Sequence, residues 1–177
     1  MNRILFLFLI FSLGFSSSER EKIEWTEDYK LSWSDFKGEP NRSSGYVAST
    51  NSGISFSYSY GFKYDELVLE YEVKSNFYPT LSWYIPSIVT ENTLKHEQTH
   101  FDISEIHARI LRKRISEAQF TNMVETEIES LYNQVEVERR AMQNKFDEET
   151  DHSNIRDKEI AWEKFVSQQL KDLDDWK

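Results

Sequence analysis

Neither glycine nor proline occurs from Ser87 to Lys177; all five glycines and three prolines fall in the first half of the chain. The second half therefore lacks the two residues that most readily stop a helix. Thr90 or Asn92 supplies a capping oxygen, and the pattern predicts a helix running to about Glu117. A second helix is expected from about Thr121, with an apolar stripe of Val124, Ile128, Leu131, Val135, Met142 and Phe146. A third is expected after Ser153, carrying Ile160, Phe165, Leu170 and Leu173.

The first half has the other period. In "ISFSYSY", Ile54, Phe56, Tyr58 and Tyr60 alternate with serines, as in a half-buried strand. "ELVLEYEV" alternates likewise through Leu67, Leu69, Tyr71 and Val73, and the short stretch Gly61 to Asp65 predicts a hairpin. "TLSWYI" (80–85), between Pro79 and Pro86, reads as a third strand. "YKLSWSDFKGEPN" (29–41) reads as a short strand running into a turn. Strands followed by helices predict an α+β domain: a small N-terminal antiparallel sheet, a helix hairpin and a C-terminal helix.

Residues 1–18 follow a different logic. Arg3 precedes an apolar run from Ile4 to Phe15, and small serines follow at 16 and 18. This is the pattern of a cleaved secretory signal, leaving a single domain over 19–177 in a secreted or periplasmic protein with no lasting membrane anchor. The run is shorter than the ~20 residues a spanning helix needs.

With 12 Phe, 9 Tyr and 5 Trp the chain has ample material for a core. The net charge of -10 argues against nucleic-acid binding, which needs clustered Lys and Arg. The absence of cysteine removes thiolate nucleophiles and Cys-based zinc sites. Any metal must be held by His, Asp or Glu.

Three of the four histidines lie in "KHEQTHFDISEIH". His96 and His100, four apart on a helix, present two imidazoles on one face, which suits Zn2+. Glu97 beside them is placed to take a proton from water rather than to bind the ion: the HExxH arrangement. His107 lies seven residues beyond His100, ~10.5 Å along an unbroken helix, and no glycine bends it back, so packing is its expected role. Two candidates remain for a third ligand. Glu138 stands within the apolar stripe of the second helix, with a buried partnership to an arginine such as Arg109 as its other role. His152, near Asp151, stands where the chain leaves that helix.

The combination of "WSDFKG", "SGISFSY", "KHEQTHFDI" and "EETDHSN" resembles a family of secreted bacterial proteins. That family, formally a domain of unknown function, is described as zinc-dependent proteases of the HExxH peptidase superfamily. The resemblance implies a zincin-like fold and favours His152 over Glu138 as third ligand. It also implies that the strand "PTLSWYI" edges the cleft, with Ser82 and Trp83 lining it for a peptide or protein substrate. The expected function is a zinc-dependent hydrolase acting outside the cytoplasm, with Glu97 as general base. The alternative is a zinc-binding or envelope-binding module without turnover, to which Glu97 would be of no use.

Overall fold

The computed structural model describes residues 20–64 and 66–177; the apolar run expected to be a secretory signal lies outside them. The chain is α+β, with strands β1 (Ile23–Glu24), β2 (Ala48–Ser49), β3 (Ser52–Lys63), β4 (Glu66–Phe77) and β5 (Trp83–Tyr84), then helices α1 (Glu91–Glu117), α2 (Val124–Thr150) and α3 (Arg156–Asp172). One antiparallel sheet has the order β1-β4-β3; β2 and β5 form a second, two-stranded one.

The expected hairpin forms, with β3 and β4 pairing from Ser52↔Phe77 to Lys63↔Glu66. Its register sets Phe56 opposite Val73 and Tyr60 opposite Leu69. That puts the two apolar faces on the same side, and they pack with Ala108, Leu111, Ile115, Ile128 and Val135 of the helices. Two stretches differ from expectation. Residues 29–41 hold a 3-10 turn at Trp33–Asp35 instead of a strand. Here Asp35 accepts the main-chain N–H of Ser32 (2.7 Å), and Phe36 turns into a cluster with Trp25, Leu31, Phe77 and Phe101. Residues 79–81 form a second 3-10 turn, which leaves only Trp83–Tyr84 as strand.

Helix α1 begins where its cap dictates: the Thr90 hydroxyl accepts the Thr93 N–H at 3.2 Å. Helix α2 returns antiparallel to it, but later than the sequence suggests. A second helix starting near Thr121, after a turn at 119–120, would set residue 138 level with residue 101. The connection instead runs to Met123, and Gln143 meets His100. The offset is about one helical turn, and it decides which side chains face the histidines.

Helix α3 closes the other flank through Trp162 and Val166, which pack with Ile103, Ile106 and Phe146. Its buried face is rotated from the expected one. Glu159 is fully buried, while Phe165 is 47% exposed.

Candidate metal centre

The first turns of α1 carry His96, Glu97 and His100 beside the last turns of α2. Both imidazoles are oriented by their Nδ1 atoms. His96 Nδ1–H donates to Glu159 Oε1 at 2.8 Å, and His100 Nδ1–H donates to Gln143 Oε1. The amide of Gln143 in turn donates to the main-chain oxygen of His100 at 2.9 Å. Both Nε2 atoms are thereby turned toward one point. They lie 3.1 Å apart, and Asp147 Oδ1 lies 3.1 Å from the first and 2.9 Å from the second. Beneath them, the buried ring of Phe146 stacks on His96, with centroids 4.4 Å apart, and meets His100 edge-on at 5.1 Å.

This donor set fits a metal ion. Tetrahedral bonds of ~2.0–2.1 Å separate neighbouring ligand atoms by about 3.3 Å, close to the spacing found. Two imidazoles and a carboxylate suit zinc. Outer hydrogen bonds that fix the imidazole orientation are the usual support of such a site.

The electrostatics point the same way. Burial works against charge on His96, but its hydrogen bonds to Asp147 and Glu159 and the nearby Glu97 outweigh that and raise its pKa to about 9. Burial also works against charge on Asp147, yet the hydrogen bonds from His100 and His96 hold its carboxyl below the usual carboxylate range. In the metal-free protein a proton on His96 thus takes the place of a cation. Glu97 is 4% exposed, and its Oε2 has no hydrogen-bond partner among the described residues. Glu159 Oε2 is likewise buried and unpartnered. A buried carboxylate oxygen without a donor is costly, and one facing a cleft beside converging ligand atoms marks a place where something binds.

The cleft above the three atoms has a volume of about 850 Å³. One wall is the chain from Gly45 through β2 to Ser52; the other is α2 from Arg139 to Asp147 and the turn after it. Thr50 and Ser52 tie the first wall to α1 by donating to the main-chain oxygens of Glu97 (3.2 Å) and His100 (3.3 Å).

Several expected site residues fall elsewhere. Asp147, not singled out from the sequence, stands in the third place beside the imidazoles. His152 is one step further out, with Nδ1 3.6 Å from Asp147 Oδ1 and its side chain 43% exposed. Glu138 is bound by Arg114 at 2.8 and 3.0 Å, because the later return of α2 carries it past the histidines. Arg109 pairs with Glu105 instead. Ser82 and Trp83 sit one strand behind the cleft. Ser82 is fully buried, accepting from Asn51 N–H (2.8 Å) and donating to Tyr78 C=O (2.9 Å), and Trp83 pairs with Ser49. The edge on the cleft is β2, not β5. His107 packs: buried, with Nδ1–H on the Ile103 oxygen at 2.8 Å and its pKa lowered by that burial.

Asp147 follows Phe146, a stripe residue, by one position, and only the register of the hairpin brings it to the histidines. Glu159 did leave a signal. It sits three and seven residues before Trp162 and Val166, so it shares their helical face, where a charge needs a partner.

The model of a family described as a bacterial protein of unknown function (DUF922) matches residues 80–153. The match runs from the 3-10 turn before β5 to the turn after α2, so it takes in His96, Glu97, His100, Asp147 and His152 and ends before Glu159. No curated protein and no solved structure matches the chain. Among the described residues no helix is long and apolar enough to cross a membrane.

Proposed function

We propose that this protein is a zinc-dependent peptidase of the HExxH type with a zincin-like arrangement, acting outside the cytoplasm. The observation that carries this reading is the convergence of His96 Nε2, His100 Nε2 and Asp147 Oδ1 within 3.1 Å of one another, next to Glu97, whose buried Oε2 has no partner among the described residues. A zinc ion held by these three groups supplies Lewis acidity, lowering the pKa of a water and drawing electron density from a carbonyl. A structural zinc site has no use for a free carboxylate beside it.

The chain's own residues do the rest. Glu97 accepts a proton from the attacking water as the new C–O bond forms. It passes that proton to the leaving amine as the C–N bond breaks. Glu159 and Gln143 hold the imidazoles with Nε2 inward. The open edge of β2 offers main-chain groups to an extended substrate, a mode that suits an unfolded polypeptide. Export rests on Arg3, the apolar run Ile4 to Phe15 and the serines after it.

The test is Glu97→Gln in the purified protein, with zinc measured by elemental analysis and hydrolysis followed on labelled casein. The variant should keep one zinc per chain and lose ~10²–10⁴-fold in rate. Casein cleavage at the wild-type rate in Glu97→Gln refutes the assignment. A wild-type protein that holds zinc and cleaves nothing favours a zinc-dependent binding module.

A further inference from the structure

The turn after α2 is unusual in its backbone. Asp151, His152 and Ser153 all hold left-handed conformations, with φ of 47°, 50° and 74°. Such geometry costs ~1–2 kcal/mol per residue with a side chain, and it persists only where surrounding structure enforces it. Here two main-chain bonds enforce it: His152 N–H to the Asp147 oxygen at 3.0 Å, and Ile155 N–H to the Thr150 oxygen at 2.9 Å.

The result is that His152 folds back over the end of α2 and onto the cleft. Its Nδ1 faces Asp147 Oδ1 at 3.6 Å. The ring also meets that of Tyr46, tilted against it with centroids 4.7 Å apart. That separation of 3.6 Å is too long for a hydrogen bond to Asp147, so the nitrogen is not spent there. His152 and Asp147 line the same cleft, so an oxygen held there beside Asp147 would have this nitrogen as a neighbour. Two donors on α2 are committed. Arg139 is bidentate to Glu136 at 2.8 and 2.9 Å, and the Gln143 amide is held by His100 and Ser104.

The geometry points to His152 as a catalytic residue that donates Nδ1–H to the negatively charged oxygen of the tetrahedral state, with Tyr46 as the positioning residue for its ring. This rests on the peptidase reading above. A donor fixed in advance, where charge develops, stabilises the transition state more than the ground state.

Two variants test it in the full chain. His152→Gly removes the ring and suits the left-handed backbone. His152→Asn also tolerates that backbone and places an amide N–H near the position of Nδ1. Four quantities are measured: zinc content, kcat and KM on labelled casein, and the affinities of an Ala-Ala phosphinic pseudo-dipeptide and of acetohydroxamate. The phosphinate copies the tetrahedral state, whereas acetohydroxamate needs only the ion. His152→Gly should keep its zinc and lose ~10²-fold or more, chiefly in kcat. It should bind the phosphinate correspondingly more weakly and acetohydroxamate unchanged, and His152→Asn should recover part of the loss. Loss of zinc in His152→Gly would make His152 a ligand and overturn the inference. Wild-type kcat, or equal weakening of both inhibitors, would also overturn it while leaving the peptidase reading intact. A wild-type protein that holds zinc, cleaves no casein and binds no phosphinate would remove both.

Discussion

Helix α1 buries two charged clusters about two turns apart, and they are built on opposite plans. In the later one, Glu105 Oε1 accepts from Arg109 Nε at 2.9 Å and from Arg112 Nη1 at 3.1 Å. The guanidinium groups spend further N–H on main-chain oxygens: Arg109 on Leu170, and Arg112 on Val73 and Trp176. Donors and acceptors are matched, and the cluster fastens α1 to β4 and to the C-terminal residues. In the earlier cluster, Glu97, Asp147 and Glu159 surround two imidazoles, and two carboxylate oxygens have no donor among the described residues. The first plan is finished within the protein. The second is balanced only by a proton on His96 or by a cation from outside. Buried polar groups are usually satisfied and one left unsatisfied calls for a cause, and the helix carries one cluster of each kind.

Removing a donor from the open cluster should have the largest effect on metal. Asp147→Ala and His100→Ala should abolish stoichiometric zinc, read by elemental analysis, while circular dichroism shows α1 and α2 intact. A His152→Ala or Glu138→Ala variant that loses more zinc than Asp147→Ala would reverse the ligand assignment. Breaking the closed cluster should do the opposite. Arg109→Met leaves Glu105 short of a partner and should cost ~3–5 kcal/mol of stability in denaturant titration, with zinc content unchanged. Zinc lost in step with Arg109 would show the two clusters to be one cooperative unit.

Smaller effects sharpen the contrast. Glu159→Gln should weaken zinc binding ~10–100-fold without removing any ligand atom, since it acts through the orientation of His96. A competition titration with a chelator measures this, and an unchanged affinity would reduce Glu159 to packing. The proton on His96 gives the next prediction. Its pKa in the metal-free protein is raised from 6.5 to about 9, so the group is protonated below that pH and zinc must displace the proton. Zinc affinity should therefore rise by about tenfold per pH unit between 7 and 9 and release close to one proton per ion, measured by calorimetry in buffers of different ionisation enthalpy. The stability that this charged histidine gives the metal-free fold is present below 6.5 and lost as pH rises to about 9. The smallest effect belongs to the half-buried pair Arg114–Glu138, where Glu138→Ala should cost ~0–1 kcal/mol and leave zinc untouched.

Much of this was legible in the order of residues. The alternation in 54–60 and 66–73 set the hairpin and its buried face. Thr90 set the start of α1, and the absence of Gly and Pro allowed it to run for 27 residues. The spacing of His96 and His100 put two imidazoles on one face, because helical geometry is local and needs nothing beyond neighbouring residues. Axial distance separated His107 from them for the same reason.

What sequence alone left open depends on contacts between distant residues. Asp147 reaches the imidazoles because the connection before Val124 sets the return of α2 about one turn later than a start near Thr121 would. Glu159 does so because Trp162 and Val166 fix the rotation of α3. The edge of the cleft is β2 because 79–81 coils into a 3-10 turn and leaves β5 behind it. His152 faces the cleft through three consecutive left-handed residues, a run that local propensity does not favour. Local pattern determined which elements exist and which faces they bury; only the packing of one helix against the next decided which oxygen completes the site.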